Sequence, residues 1–445
     1  MAKRFSVSLL LMTFSISFPL ASQEVGPDMV RTEFLHAWNS YKQYAWGHDA
    51  LKPLSKEPHD WYGTSLYMTP VDAYDVMLLM GLSKESAEAK KLIVDSLSFD
   101  KNIEIQAFEI TIRLLGGLLS AYQMDGDSRF LVLAEDLGKR ILPIYNSKTG
   151  MPYRYVHLQS GAIRDSINNP AEIGTALLEL GTLSRFTGNP VYYEKAKNAL
   201  VELHNRRSKI GLVGTWINVE TGEWTNTTSH IGGAIDSYYE YLLKAWLLFG
   251  DEDCKKMWDE SIKAINMYVA DTVRGELWYG QVDMDTGKRT GTQFGSLEAF
   301  FPAVLCLSGD IDRARKLEES CYKMWNLQGI EPEEIDYRTM EVTDARYFLR
   351  PEIIESAYYL YHYTGDKKYK EMGKTFFRSV VKYCRDSAGY ASLKDVKSKE
   401  KGDSMESFFF AETLKYLYLL AAPPEALPFD RIVFTTEAHP IKRNE

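Results

Sequence analysis

One phrase recurs along this chain and limits its fold more than any other feature: an apolar helical segment, then Gly with Asp, Asn or Ser close behind, then a more polar helical segment. It stands at Gly81, Gly126, Gly188, Gly250, Gly309 and Gly365, so successive glycines are 45, 62, 62, 59 and 56 residues apart. One more interval ends at Ala422-Pro423-Pro424, where another apolar segment stops. A left-handed Gly ends one helix and the polar residue caps the next, so each phrase predicts the tight turn of a helical hairpin. Aromatic residues four after the Gly (Phe130, Tyr192, Tyr369) and small ones eight after (Ala134, Ala196, Gly373) share one face of the second helix, which is expected to pack inward.

The segment before each glycine, such as Ile110 to Tyr122 or Ile353 to Tyr363, is apolar on nearly all sides, as an inner helix covered by others would be. Six or seven such hairpins can stack openly or close into a ring. Closure is favoured because Phe34 to Trp46 and Phe408 to Leu420 are both strongly apolar, and an open stack would expose them. The reading is an all-α toroid of inner and outer helices, with short β-hairpins at one mouth in segments such as Tyr145 to Pro170 and Trp216 to Gly233.

Lys3 and Arg4 precede a Ser-rich apolar run from Phe5 to Leu20 that ends in the small residues Ala21 and Ser22. That pattern predicts a secretory signal peptide over 1–22, an exported mature chain and no membrane span. With 52 Lys and Arg against 61 Asp and Glu, and no long basic block, nucleic acid is excluded as a partner. The four cysteines, Cys254, Cys306, Cys321 and Cys384, lack the close spacing of zinc or thioredoxin-like motifs. They read as buried apolar residues, with one disulfide possible.

Chemistry is suggested by what opens each inner helix. Asp72, Glu109, Glu172, Asp236, Glu298, Glu352 and Glu406 sit at or near helix starts, opposite the tight turns, and in a ring they converge on one mouth. An acid in a first turn also complements the helix dipole, and for any single one of the seven that is the ordinary explanation. Three have further context. Glu109 has Arg113 one turn on, in a helix that tolerates Gly116-Gly117 at mid-span, as a closely approaching neighbour would require. Glu352 follows Arg350-Pro351 and has Glu355 near it. Asp236 opens an aromatic-rich helix after His230 and Gly232-Gly233. Convergent acids with aromatic and basic residues suit glycoside hydrolysis, in which one carboxyl protonates the leaving oxygen and another activates water or attacks the sugar. Trp46, Trp61, Tyr62 and Phe408 are candidates to stack on sugar rings. After a proline-rich break, Ile432 to Pro440 is too apolar for a frayed tail, and its threonines offer oxygen to a hard cation such as calcium.

The phrases Phe34 to Trp38, Tyr44 to Asp49, Thr111 to Tyr122, Asp236 to Lys244, Leu349 to Ser356, Ser407 to Phe409, Glu412 to Tyr416 and Phe434 to Pro440 together resemble the class I α-mannosidases, glycoside hydrolase family 47, over nearly all of the mature chain. The resemblance implies an (α/α)7 barrel as a single catalytic domain over 28–441, plugged at one end by the C-terminal segment. It implies a calcium ion bound through Thr436, and inverting removal of α-1,2-linked mannose with acid and base roughly 6.5–9.5 Å apart. Glu109 is implied as the acid, Asp236 as its competitor for that role, and Glu352 as the base. Arg113, Glu172, Glu333, Arg350, Glu355, Phe408, Glu412 and Glu437 are implied as sugar-contacting positions.

In two places the chain departs from the family pattern. Ala234 stands where many members carry Arg, and Ala299 stands where the cysteine partner of Cys321 would be. Ser296 to Pro302 is more similar to the branch linked to glycoprotein degradation. The expectation is a monomeric, exported, calcium-dependent exo-α-1,2-mannosidase acting on mannose-containing oligosaccharides, located in periplasm, medium or endoplasmic reticulum lumen. The alternative is a weakly active or inactive glycan-binding protein of the same fold.

Overall fold

All six glycines of the repeated phrase are left-handed, with φ between 67° and 88°. Each ends an inner helix and donates its N–H to the last turn. Asp127, Asp251 and Asp310 then cap the following outer helices by accepting backbone N–H bonds at their side chains. Ser83 departs from this pattern: it is the first residue of its helix, Ser83–Ser96, and caps nothing.

The computed structural model describes residues 24–443. The segment read as a signal peptide, residues 1–22, lies outside them. Six hairpins pack side by side in chain order. Their inner members begin at Met68, Ala107, Pro170, Asp236, Leu297 and Glu352. The seventh pair joins the two ends of the chain. Phe409–Leu414 with Lys415–Ala421 is its inner helix, covered from outside by Pro27–Tyr44. That inner helix touches both the Glu352–Thr364 helix and Tyr74–Leu79, which closes the ring of seven. The two apolar terminal segments cover one another, as in Phe34 against Phe410 with ring centroids 5.3 Å apart.

The sheets of the described residues are antiparallel and have two or three strands each. Most lie in connections that run from an outer helix to the next inner one, so they gather at the mouth where the inner helices begin. A last hairpin pairs Ile432–Phe434 with Pro440–Lys442. Its turn, Thr435 to His439, reaches into the middle of the ring, where it meets Tyr241, Asp72, Asp75 and Lys415 from three inner helices.

Charge pairing explains how a polar turn can be buried there. The His439 ring is fully buried between Asp75 (2.7 Å) and Asp72 (3.1 Å). Burial alone would depress its pKa, but the two carboxylates lift it to about 9, so the ring is charged and paired at neutral pH. Ser407 donates to Asp72, and the Lys415 ammonium neutralises Asp75 at 2.9 Å. All four cysteines are free and buried, so the possible disulfide does not form. Among the described residues no helix is long and apolar enough to cross a membrane.

Candidate active site

The inner-helix starts and the plug turn enclose a cavity of about 440 Å³. Glu109, Asp236, Glu352, Arg113, Glu172, Arg350, Glu355, Phe408, Glu412, Thr436 and Glu437 all line it. Glu333 does not; it stands behind and holds Arg350 through bonds of 3.1 Å from Nε and 2.5 Å from Nη2.

Local backbone features aim these side chains. A π-turn over Thr111–Leu115 carries Arg113, and another over Phe409–Leu414 carries Glu412. Such a widened turn shifts a side chain off its helical row and costs regular hydrogen bonding, which is why it clusters at functional sites. Just before Asp236 and just before Arg350 the chain passes through left-handed residues that are not glycine, Ala234 (φ 71°) and Leu349 (φ 64°). Both bends turn the start of an inner helix toward the cavity, and each strains the backbone.

Arg113 organises one wall. Its Nε donates to Glu109 at 3.0 Å, Nη1 pairs with Glu437, and Asp72 lies 3.7 Å away. Its guanidinium rests between the rings of Trp61 (5.2 Å) and Phe408 (5.6 Å). Arg350 reaches Phe408 as well, at 5.9 Å, so one ring is flanked by two cations.

The other wall is acidic and short of counter-charge. Burial pushes Asp236 up to about 7, against the bonds it accepts from Ser237 (2.7 Å from the backbone N–H). Burial likewise raises Glu352 to about 7 although Arg350 opposes the shift, and its Oε2 is buried with no hydrogen-bond partner. Deeper still, burial carries Glu355 up to about 8 against the pull of Lys244, and it accepts from Tyr416 at 3.1 Å. Glu412 and Glu437 are held well above the ordinary carboxylate range, first by burial. In the plug turn Thr435, Glu437, Ala438 and His439 are buried, and Thr436 alone keeps accessible surface, which it presents to these acids.

Three of the seven helix-start acids do not reach the cavity. Asp72 is wholly buried against His439 and Ser407. Glu406 accepts from the Trp61 indole at 3.0 Å, and Glu298 accepts from the Gly295 N–H at 3.0 Å. Trp46 packs on Trp38 and Tyr41 and takes no part either. Sequence reasoning missed Gln106, Asn169, Trp216 and Glu240, which also line the cavity. Asn169 had a readable signal, because Asn-Pro-Ala-Glu is a helix-capping pattern. Its side chain accepts from Glu172 N–H and donates to Glu172 Oε1, both at 3.0 Å.

The family model described as Glycosyl hydrolase family 47 matches residues 33–443. The mouse endoplasmic reticulum mannosyl-oligosaccharide 1,2-alpha-mannosidase is 39% identical over 449 residues, which are 92% of this chain and 66% of that protein. Human ER degradation-enhancing alpha-mannosidase-like protein 2 is 37% identical over 449 residues, 93% of this chain and 77% of that protein. Among solved structures, the alpha-1,2-mannosidase from Trichoderma reesei superposes with a TM-score of 0.87 at 28% identity, over 94% of this chain and 99% of that one.

Proposed function

The chain belongs to glycosyl hydrolase family 47, and on that premise we propose that it is a calcium-dependent, inverting exo-α-1,2-mannosidase that trims terminal mannose from high-mannose oligosaccharides. The observation that carries the reading is the meeting of Asp236, Glu352, Glu109 and Thr436 in one cavity whose far side the plug turn fills. A pocket blocked at its base accepts a chain end and excludes the middle of a polymer, which supports exo action.

Inversion requires a protonated acid, an ionised base and a water between the base and the sugar. Asp236 and Glu352 are both raised to about 7, so near neutrality each samples both protonation states, as proton donor and acceptor must. Glu109 is engaged instead in an ion pair with Arg113 at 2.9 Å. This division favours Asp236 as the proton donor, with Glu109 and Arg113 positioning the sugar. Glu352, with its unpartnered oxygen, takes the proton of the attacking water.

The donors around Thr436 are hard oxygens, and the nearby buried carboxylates repel one another, a setting that a divalent cation relieves. Among the described residues no three His, Cys, Asp or Glu are placed to hold a metal together. The ion would therefore be held by Thr436 hydroxyl and carbonyl oxygens and by waters bonded to Glu355, Glu412 and Glu437. When bound, calcium would fix the sugar hydroxyls and the nucleophilic water.

Incubation with α-1,2-mannobiose, followed by NMR, tests the reading. β-Mannose is expected first, with turnover lost on chelation, and Glu352→Gln is expected to bind sugar but hydrolyse it very slowly. Release of α-mannose first would overturn inversion, and unchanged turnover under chelation would overturn the calcium role.

A further inference from the structure

We infer that Glu298 is a positioning residue for Asp236: with Leu297 it clasps the Gly232-Gly233 turn that delivers the Asp236 carboxyl to the cavity, and as a neighbouring acid it keeps the proton on Asp236. The catalytic consequence rests on the reading of Asp236 as proton donor, whereas the clasp stands on its own contacts.

Two consecutive side chains meet two consecutive glycines. A Cβ on Gly232 would stand 2.3 Å from both Cδ and Oε1 of Glu298, and a Cβ on Gly233 would stand 2.8 Å from Leu297 Cδ1. A side chain at either glycine would have to displace the grip. Gly295 forms the other side of the notch: its own Cβ would lie 3.0 Å from Glu298 Oε2, which accepts the Gly295 N–H at 3.0 Å. The grip reaches the acid directly, because the Gly232 carbonyl accepts the Ile235 and Asp236 N–H groups, both at 3.0 Å. Between them Ala234 is held at φ 71°, a conformation that persists only where the surroundings enforce it. Leu297 and Glu298 supply that enforcement, together with Ala171, whose N–H donates to the Ala234 carbonyl at 3.0 Å.

Charge makes the grip more than mechanical. Burial raises Glu298 to about 7 against the backbone N–H groups bonded to it, and the Asp236 and Glu334 charges add to the rise. Asp236 itself is raised by burial to about 7, with Glu240 adding to the rise and Arg350 opposing it, and Glu352 feels the Asp236 charge in turn. His230 is kept neutral by burial, at about 4, and accepts from the Gly232 N–H at 3.2 Å. Cys321, which also faces Glu298, stays a neutral thiol because burial pushes it far up. Two carboxyls that share a buried site resist losing both protons. An ionised Glu298 therefore leaves the pair's remaining proton on Asp236, and the donor stays loaded at a pH where a lone carboxyl would have given its proton up.

The test uses Glu298→Gln, which keeps the volume, can still accept from the Gly295 N–H and cannot ionise. Carboxyl-carbon NMR titration, with Asp236→Asn identifying the Asp236 signal, is measured beside the pH dependence of kcat/KM on α-1,2-mannobiose with calcium present. The Asp236 midpoint is expected to fall by about one pH unit, the coupling of two such acids, and the alkaline limb of the profile to move down with it. Glu298→Ala, which opens the clasp, is expected to lower turnover of mannobiose about tenfold more than turnover of α-mannosyl fluoride, whose leaving group needs no proton. A role in packing alone would depress both substrates alike and leave the limb in place. An Asp236 midpoint that stays put in Glu298→Gln, or a limb that moves while Glu298→Ala loses both substrates alike, overturns the positioning role. A midpoint that falls while the limb does not move keeps Glu298 as the partner of Asp236 and removes Asp236 as the donor.

Discussion

Gly116 and His439 approach so closely that a Cβ on the glycine would lie 2.9 Å from the histidine Cδ2. The inner helix gives up helical propensity at this point, and the plug turn fills the space. Neighbouring Gly117 does the same for Val71, whose Cγ1 would stand 2.9 Å from an added Cβ. Gly116→Ala should therefore push His439 and the turn that bears Thr436 out of place. Overpacking of this kind costs about 1–3 kcal/mol. The expected outcome is a lowered unfolding midpoint together with a loss of kcat/KM, and the loss should be larger than a surface Gly→Ala change produces. A variant with parental activity and parental midpoint would show that the turn yields freely.

A pH profile checks the pairing of acid and base. Glu352 must be ionised to take a proton, so activity should fall as pH drops below about 7. Asp236 must be protonated to give one, so activity should fall as pH rises above about 7. Together they predict a bell for kcat/KM that is narrow and centred near neutrality. Asp236→Asn should remove the alkaline limb, and a limb that persists in this variant belongs to another group.

Much of the architecture is legible in the sequence because a helix end announces itself locally. The left-handed Gly and the capping Asp act within four residues: all six glycines turn as the pattern predicts, and Asp127, Asp251 and Asp310 supply the predicted caps. The breaks inside inner helices are less legible. The chain interrupts helix between Asp72 and Tyr74 and again between Gly174 and Leu177, without Pro or a Gly pair to mark either place. The same limit applies to the acids. Glu109, Asp72 and Glu406 share one local signature, an acid near a helix start, and only distant partners separate them. His439 claims Asp72 and Trp61 claims Glu406, while Glu109 has Arg113 as its own neighbour on the helix. Trp216 was hidden for the opposite reason, since a lone aromatic in a short strand looks like core until its neighbours are known.

Stability should respond to pH through Glu179, which lies fully buried beneath the plug. It accepts from Tyr241 at 2.6 Å, and its second oxygen has no partner. Burial raises it from 4.5 to about 7. A raised carboxyl keeps its proton in the folded state while the unfolded chain loses it. Its contribution is therefore whole below pH 4.5 and is lost as pH rises to about 7. Glu179→Gln cannot titrate and still accepts from Tyr241, so the variant should gain on the parent over that window, by on the order of 3 kcal/mol at most. Urea unfolding at several pH values measures the difference, and parallel curves would mean the carboxyl is neutral throughout or matched by an unseen charge.

α-Mannosyl fluoride separates the two candidate acids, because fluoride leaves without a proton. If Asp236 donates it, Asp236→Asn should lose mannobiose hydrolysis by about 10²–10⁴-fold, the usual contribution of general acid catalysis, while keeping most of its activity on the fluoride. Glu109→Gln should depress both substrates together, since it would loosen Arg113 and with it the sugar's position. The reverse pattern would make Glu109 the donor and leave Asp236 to orient the sugar.

Calcium should also be visible without turnover. Glu355, Glu412 and Glu437 are brought together at a cost that a bound cation reduces, and an ion that binds only the folded chain stabilises it by RT ln(1 + [L]/Kd), about 2.7 kcal/mol at one hundred times Kd. Chelation should therefore lower the unfolding midpoint, and added calcium should restore it in proportion to the logarithm of concentration. Thr436→Val, which keeps the shape of the residue and removes its hydroxyl, should weaken the response while leaving the chelated midpoint near that of the parent. Because Thr436 is the accessible residue of the plug turn, a full calcium response in that variant would place the ion elsewhere among the acids and take the plug out of metal binding.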